Sequence, residues 1–346
     1  MSRSMTTVPS PALRQARPPA GLQDLRVAAV DEEFLRQRAF PWAMLASGVL
    51  LSLLAPSFTS GLNWLPFMIS LFLFGMPHGA MDWSVRNQLN GTRGLARQLV
   101  GFIPYLLLMA FSSLSLFLAP VLTFAAFMLL TVFHFGTADL IATGHGLERV
   151  GCKLLFIAGR GCLILGPAFA FHTAAAWLPF GMITGLPVDD GVFLSTLGTS
   201  GALATVAGIT FALIHAGITF RHSSRLAALD LVESALIVLL GTLAAPLFAI
   251  GLFFLSTHAY RHSVRLSSAP IAGAAPTASS LGTRLFQMHL KSLPLLIPTF
   301  VIIPIWCLIQ FGVLDPFTII TVTIGFFVIS TLPHHLLGLL LPAYRP

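Results

Sequence analysis

The sequence is short of charge. Asp, Glu, Lys and Arg make up 9% of its 346 residues, where a soluble domain carries about 25%. So little charge cannot cover a water-facing surface, which argues against a soluble enzyme, a disordered chain or a nucleic-acid binder. Cysteine is scarce as well. Cys152, Cys162 and Cys307 form no CxxC pair, and an odd count makes no disulfide framework. Residues 1–39 lack a long apolar run and hold Arg3, Arg14, Arg17, Arg26, Arg36 and Arg38, a pattern not expected of a secretory signal. We read 1–39 as a cytoplasmic, largely disordered basic tail with a short helix over 31–38, and 40–346 as one transmembrane helical domain. No internal repeat and no second soluble domain is evident.

What the chain has in quantity is apolar residues, 56% of the total. A bilayer-crossing helix needs about 20 of them. Ten stretches qualify, at approximately 41–57, 63–83, 99–118, 121–141, 154–175, 195–220, 230–244, 246–264, 293–312 and 316–341. The fold class is therefore all-α, a polytopic membrane helix bundle. With the tail inside, the inner connections hold Arg86, Arg93, Arg97, Arg149, Lys153, Arg221, Arg225, Arg261, Arg265, Arg284 and Lys291, and Arg345 lies near the carboxyl end. The outer connections hold only Asp189, Asp190 and Asp315. That separation predicts ten spans in the cell membrane with both termini cytoplasmic. Arg160 alone falls inside a span, near its inner end, from where it can snorkel; Arg261 and Arg265 read as membrane-surface charges.

Of eleven histidines, His145 and His289 fall in inner loops and need no special role, and His172 near an outer end reads as a packing residue. The other eight are His78, His134, His215, His222, His258, His262, His334 and His335. All lie in the inner halves or at the inner ends of the second, fourth, sixth, eighth and tenth spans. One intramembrane histidine is ordinarily an interhelical hydrogen bond. A whole layer of them at one depth is expensive in lipid, and a metal site explains it with one cause. Asp82 follows His78 by one helical turn and shares its face, and Asp139 follows His134 at a similar interval. Either carboxylate could fix the tautomer of a ligating histidine or ligate directly, the bland alternative being a cap or a buried pair. His258 and His262 form an HxxxH pair on one helical face, a spacing that suits two ligands of one metal.

The segments PHGAMD (Pro77–Asp82), FHFGTAD (Phe133–Asp139), HAYRH (His258–His262) and TLPHH (Thr331–His335) together resemble the Brp/Blh family of membrane β-carotene 15,15'-dioxygenases. The resemblance implies that 40–346 is a catalytic domain. It implies central cleavage of β-carotene by O₂ to two retinal molecules, at Fe²⁺ ligated by His78, His134, His258 and His262. His334 is the next candidate, as a further polar group near the iron or a substitute ligand; His215 and His222 are weaker. The partners implied are β-carotene and O₂ as substrates, the lipid bilayer, and a rhodopsin that accepts retinal; no nucleic acid is expected. Two rivals remain on the residues alone. A membrane di-iron hydroxylase or desaturase needs more histidine clusters than one HxxxH. A transporter or haem-bearing membrane protein would use the same histidines and the prolines Pro77 and Pro333 differently.

Overall fold

The computed structural model describes residues 20–143, 149–268 and 280–340. Every regular element among them is helical. In chain order these are α1 (Ala20–Leu54), α2 (Pro56–Gly61), α3 (Leu65–Ser70), α4 (Met76–Ala80), α5 (Asp82–Leu89), α6 (Leu95–Leu118), α7 (Pro120–Thr143) and α8 (Val150–Phe171). They continue with α9 (Thr173–Thr184), α10 (Gly191–Phe220), α11 (Ser224–Leu243), α12 (Pro246–Phe253), α13 (Ala259–Ser268), α14 (Leu281–Phe311) and α15 (Pro316–Leu340). Two π-helical turns, Leu71–Gly75 and Phe254–His258, join α3 to α4 and α12 to α13.

Seven helices, α6, α7, α8, α10, α11, α14 and α15, are long and apolar enough to cross a bilayer by length and composition. Their outer faces are greasy. On α6, Leu107, Phe111, Leu114 and Phe117 stand exposed, which suits acyl chains and not water. The chain is an all-α, multi-pass membrane bundle. By contrast α8 runs through the middle, with most of its apolar stretch buried.

The remaining three expected spans are not plain membrane helices. The first is the end of α1, which runs unbroken from Ala20, so the short helix expected over 31–38 is not a separate element. The second and eighth are interrupted helices, each carrying one of the π turns. The fifth stops at His172, and the outer residues expected to complete it start the separate helix α9. The long inner loop expected over 266–292 is narrower, because α13 runs to Ser268 and α14 starts at Leu281. The tail through Pro19, residues 269–279, His145 and Arg345 lie outside the described residues.

The first interruption has a local cause. Pro77 has no N–H to give the carbonyl one turn back, and its ring crowds that carbonyl. The chain widens into the π turn just before it, and His289 Nε2, on α14, lies 2.7 Å from the Leu73 oxygen that Pro77 cannot serve. His289 therefore has a structural job, contrary to its expected idleness.

Small residues then bring the site helices together. A Cβ on Gly251 of α12 would lie 2.7 Å from the Phe67 backbone nitrogen of α3, so the two interrupted helices touch backbone to backbone. A Cβ on Gly136, two residues past His134, would lie 2.1 Å from the Ile157 carbonyl oxygen, and one on Gly161 would lie 2.2 Å from that of Val132. These reciprocal contacts press α7 onto α8.

Candidate functional site

Five imidazoles from four segments converge at one end of the bundle. His78 comes from α4, His134 from α7, His258 and His262 from the second π turn and α13, and His334 from α15. Ring centres lie 5.5 Å apart for His78–His258, 5.1 Å for His78–His262 and 5.4 Å for His78–His334. They lie 4.8 Å apart for His134–His258, 5.2 Å for His134–His334, 6.2 Å for His258–His262 and 5.6 Å for His262–His334. All five rings are buried. The sequence-predicted residues His78, His134, His258 and His262 are thus together, and His334 stands among them rather than behind them.

The outer nitrogens of several rings are already engaged. His78 Nδ1 donates to the Phe74 carbonyl at 2.7 Å, which leaves Nε2 as the free lone pair. His334 Nδ1 donates to the Asp82 carboxylate at 2.8 and 3.0 Å. Tyr105 donates its hydroxyl proton to the same carboxylate at 2.7 Å. His134 Nδ1 faces His335 Nδ1 at 3.2 Å. Two nitrogens, His258 Nδ1 and His334 Nε2, are buried without a hydrogen-bond partner among the described residues. A buried polar atom with no partner costs about 1–3 kcal/mol, so an orphan in a cluster of ligand-type side chains asks for a ligand.

Among the described residues, no group of three or more His, Cys, Asp or Glu side chains meets the geometry of a metal site as it stands. The donor set nevertheless fits a borderline metal. Imidazoles bound to one ion at about 2.1 Å place their ring centres on the order of 5 Å apart. A histidine whose far N–H rests on a carboxylate or a backbone carbonyl, as His334 and His78 do, is the arrangement that orients a ligating ring.

The rings face an apolar cavity of about 310 Å³. Its walls include His78, His134, His258 and His334 with Tyr105, Phe102, Phe326 and Phe327. A second, smaller cavity of about 80 Å³ shares Phe127, Thr131, Phe135, Phe254 and Phe327 with the first. The pair offers greasy, aromatic-walled space on one side of the imidazoles, suited to a long hydrocarbon.

Beside the imidazoles lies a second polar cluster, and this one the sequence reading misplaced. Arg261 does not sit at the membrane surface. Its guanidinium is buried, donates to Asp139 Oδ1, and reaches Glu233 at 2.7 and 3.0 Å. Arg160 does not snorkel: its Nε lies 2.9 Å from Asp139 Oδ2. Arg38, assigned to a solvated tail, is buried and reaches Asp230 at 2.8 Å and Glu233 at 3.1 Å. Trp42 adds a hydrogen bond to Glu233 at 2.8 Å. Asp139 therefore orients no histidine, because both its oxygens are spent on arginines. Arg265 is buried too. His215 belongs to this cluster, 3.9 Å from Asp230, while His222 is exposed and joins neither. Asp82 shares a face with His78 but crosses to His334 instead.

Sequence reasoning missed Tyr105 and the ion-pair cluster. The signal for the cluster was present: Asp139, Asp230 and Glu233 stand inside apolar spans, where a bare acid is costly and a partner must exist. Nothing local to Tyr105 marks it.

Comparison with known proteins points the same way as the motifs. The family model of Beta-carotene 15,15'-dioxygenase matches residues 69–342. A probable beta-carotene 15,15'-dioxygenase, Blh, of Halobacterium salinarum is 29% identical over 241 residues, covering 66% of this chain and 68% of that protein. No solved structure matches the chain.

Proposed function

The chain belongs to the beta-carotene 15,15'-dioxygenase family, and from that premise we propose that it cleaves β-carotene at its central double bond with O₂, releasing two retinal molecules. The observation that carries this reading is the juxtaposition of a buried imidazole cluster with an apolar cavity inside a membrane bundle. His78, His134, His258 and His262 would hold Fe²⁺. When bound, iron supplies the oxygen and one-electron chemistry that side chains lack. The chain's own residues do the rest. The Phe74 carbonyl fixes the His78 tautomer, and Asp82 with Tyr105 fixes that of His334. Phe127, Phe135, Phe254 and Phe327 exclude water and hold the polyene so that its middle lies beside the imidazoles. A carotene is already dissolved in the bilayer, so it enters between helices rather than from water.

The test is expression in β-carotene-producing cells followed by pigment extraction. The expected result is retinal with loss of orange colour. Persisting pigment with no retinal, in cells holding folded protein and iron, would sink the reading, and apocarotenals of unequal length would move the cleaved bond. One iron per chain supports this site, while two would favour a di-iron hydroxylase.

We place both termini on the cytoplasmic side of the cell membrane, because the outer connections carry Asp189, Asp190 and Asp315 and no Lys or Arg. Reporters fused after Asp190 and after Pro346 should then report opposite sides. Retinal released into the bilayer would be available to a retinal-binding membrane partner.

A further inference from the structure

The site has an internal pairing. On the first interrupted helix Pro66, Phe74 and His78 follow one another at the same intervals as Pro246, Phe254 and His258 on the second. On α7 the run Phe127, Thr131, His134 has the spacing of Phe327, Thr331, His334 on α15. The likeness extends to bonding. Thr131 Oγ1 donates to the Phe127 carbonyl at 2.7 Å, and Thr331 Oγ1 donates to the Phe327 carbonyl at 2.7 Å. The ring contacts obey it as well: exchanging the members of each pair turns the His78–His334 contact, 5.4 Å, into the His258–His134 contact, 4.8 Å. No repeat was evident along the sequence because the matching residues are few and scattered. They become visible once the four segments surround one space.

We infer that His334 is itself a metal ligand, the counterpart of His134 across a local two-fold, and that Asp82 and Tyr105 hold it in place. The inference rests on the metal reading above and enlarges its ligand set from four imidazoles to five. Three observations lead to it. His334 occupies the position that the pairing makes equivalent to His134. Its Nε2 is buried, lacks a partner, and belongs to a ring packed against His78, His134 and His262. Its Nδ1 is fixed by a carboxylate, which raises the basicity of the free nitrogen. His335, next in the chain, is partly exposed and its ring packs on that of His134 at the edge of the group, so it is not the fifth ligand.

The experiment uses the full-length protein in detergent, stripped of metal and titrated with cobalt(II), whose visible absorption reports the number and type of its ligands. Wild type should bind one cobalt, and His334→Gln should bind it at least ~10-fold more weakly with a changed visible band. Asp82→Asn should weaken binding ~10–100-fold while keeping the wild-type band at saturation, since it removes an orienter and not a ligand. Free imidazole added to His334→Ala should restore the wild-type band. An unchanged band and affinity in both His334 variants would overturn the inference and leave the four-histidine reading standing. Failure of the wild type to bind cobalt or iron would overturn both.

Discussion

Two buried polar clusters lie side by side at one end of this bundle, and they are built on opposite principles. The ion-pair cluster joins Arg38, Arg160 and Arg261 to Asp139, Asp230 and Glu233. Three positive groups meet three negative ones. The histidine cluster has no such balance: its rings are alike, two of their nitrogens have no partner, and one flank is empty space. A cluster whose charges cancel holds a structure together, even where, as at Asp139 Oδ2 and Arg160 Nη2, hydrogen bonds are left unmade. On the function proposed above, an uncharged cluster of ligand-type nitrogens beside a cavity is arranged for a metal. The first joins α1, α7, α8, α11 and α13, so it frames the helices on which His134, His258 and His262 are carried.

Changing both His258 and His262 to Gln should have the largest effect on function. Retinal formation in carotene-producing cells should fall below detection while the protein still elutes as a folded bundle; normal turnover would show that the reaction occurs elsewhere. Next comes Glu233→Ala, which strips a counter-charge from buried Arg261 and Arg38. It should lower stability by about 3–5 kcal/mol, read as the shift of a denaturation midpoint in detergent. If stability is unchanged, the pairs do not hold the helices as argued.

Asp139→Asn sharpens the contrast. It should cost about 1–3 kcal/mol of stability and leave the metal affinity of the folded fraction within about threefold of wild type. A loss of affinity as large as ~100-fold, the range expected of a carboxylate orienting a ligand, would return Asp139 to the histidines and erase the distinction between the clusters. The smallest effect is reserved for His222→Ala. Exposed and outside both clusters, it should change stability by no more than about 0.5 kcal/mol and leave pigment cleavage alone.

The histidines could be read from the sequence because depth in a membrane helix follows directly from position along the chain. Counting from the ends of the spans puts eight histidines in one layer, of which His78, His134, His258, His262 and His334 meet, while His215 joins the ion pairs and His222 stays exposed. Partners could not be read in the same way. Helical spacing pairs Asp82 with His78, yet the carboxylate bonds His334, 252 residues away. Arg261 sits between two histidines at an inner helix end, where arginines usually meet the surface. Only the packing of α13 against α7 turns it inward, onto Asp139 and, from α11, Glu233. The helix breaks were half legible: Pro77 announces the first, and no residue within Phe254–His258 announces the second.

Those two breaks also bear on how the chain can change length. A π turn accommodates one residue more than the α-helix around it, so each interrupted helix carries a spare residue immediately before or within its histidine-bearing segment. Removing one residue from Leu71–Gly75 would let the turn close up as ordinary α with the helix beyond it keeping its aim, whereas one residue lost from regular α-helix turns everything beyond by about 100°. His78 would then still point toward the other rings, although the chain before it had lost a residue. Within these few residues a single deletion can be absorbed, whereas one in the α-helical turns on either side re-aims the helix that follows.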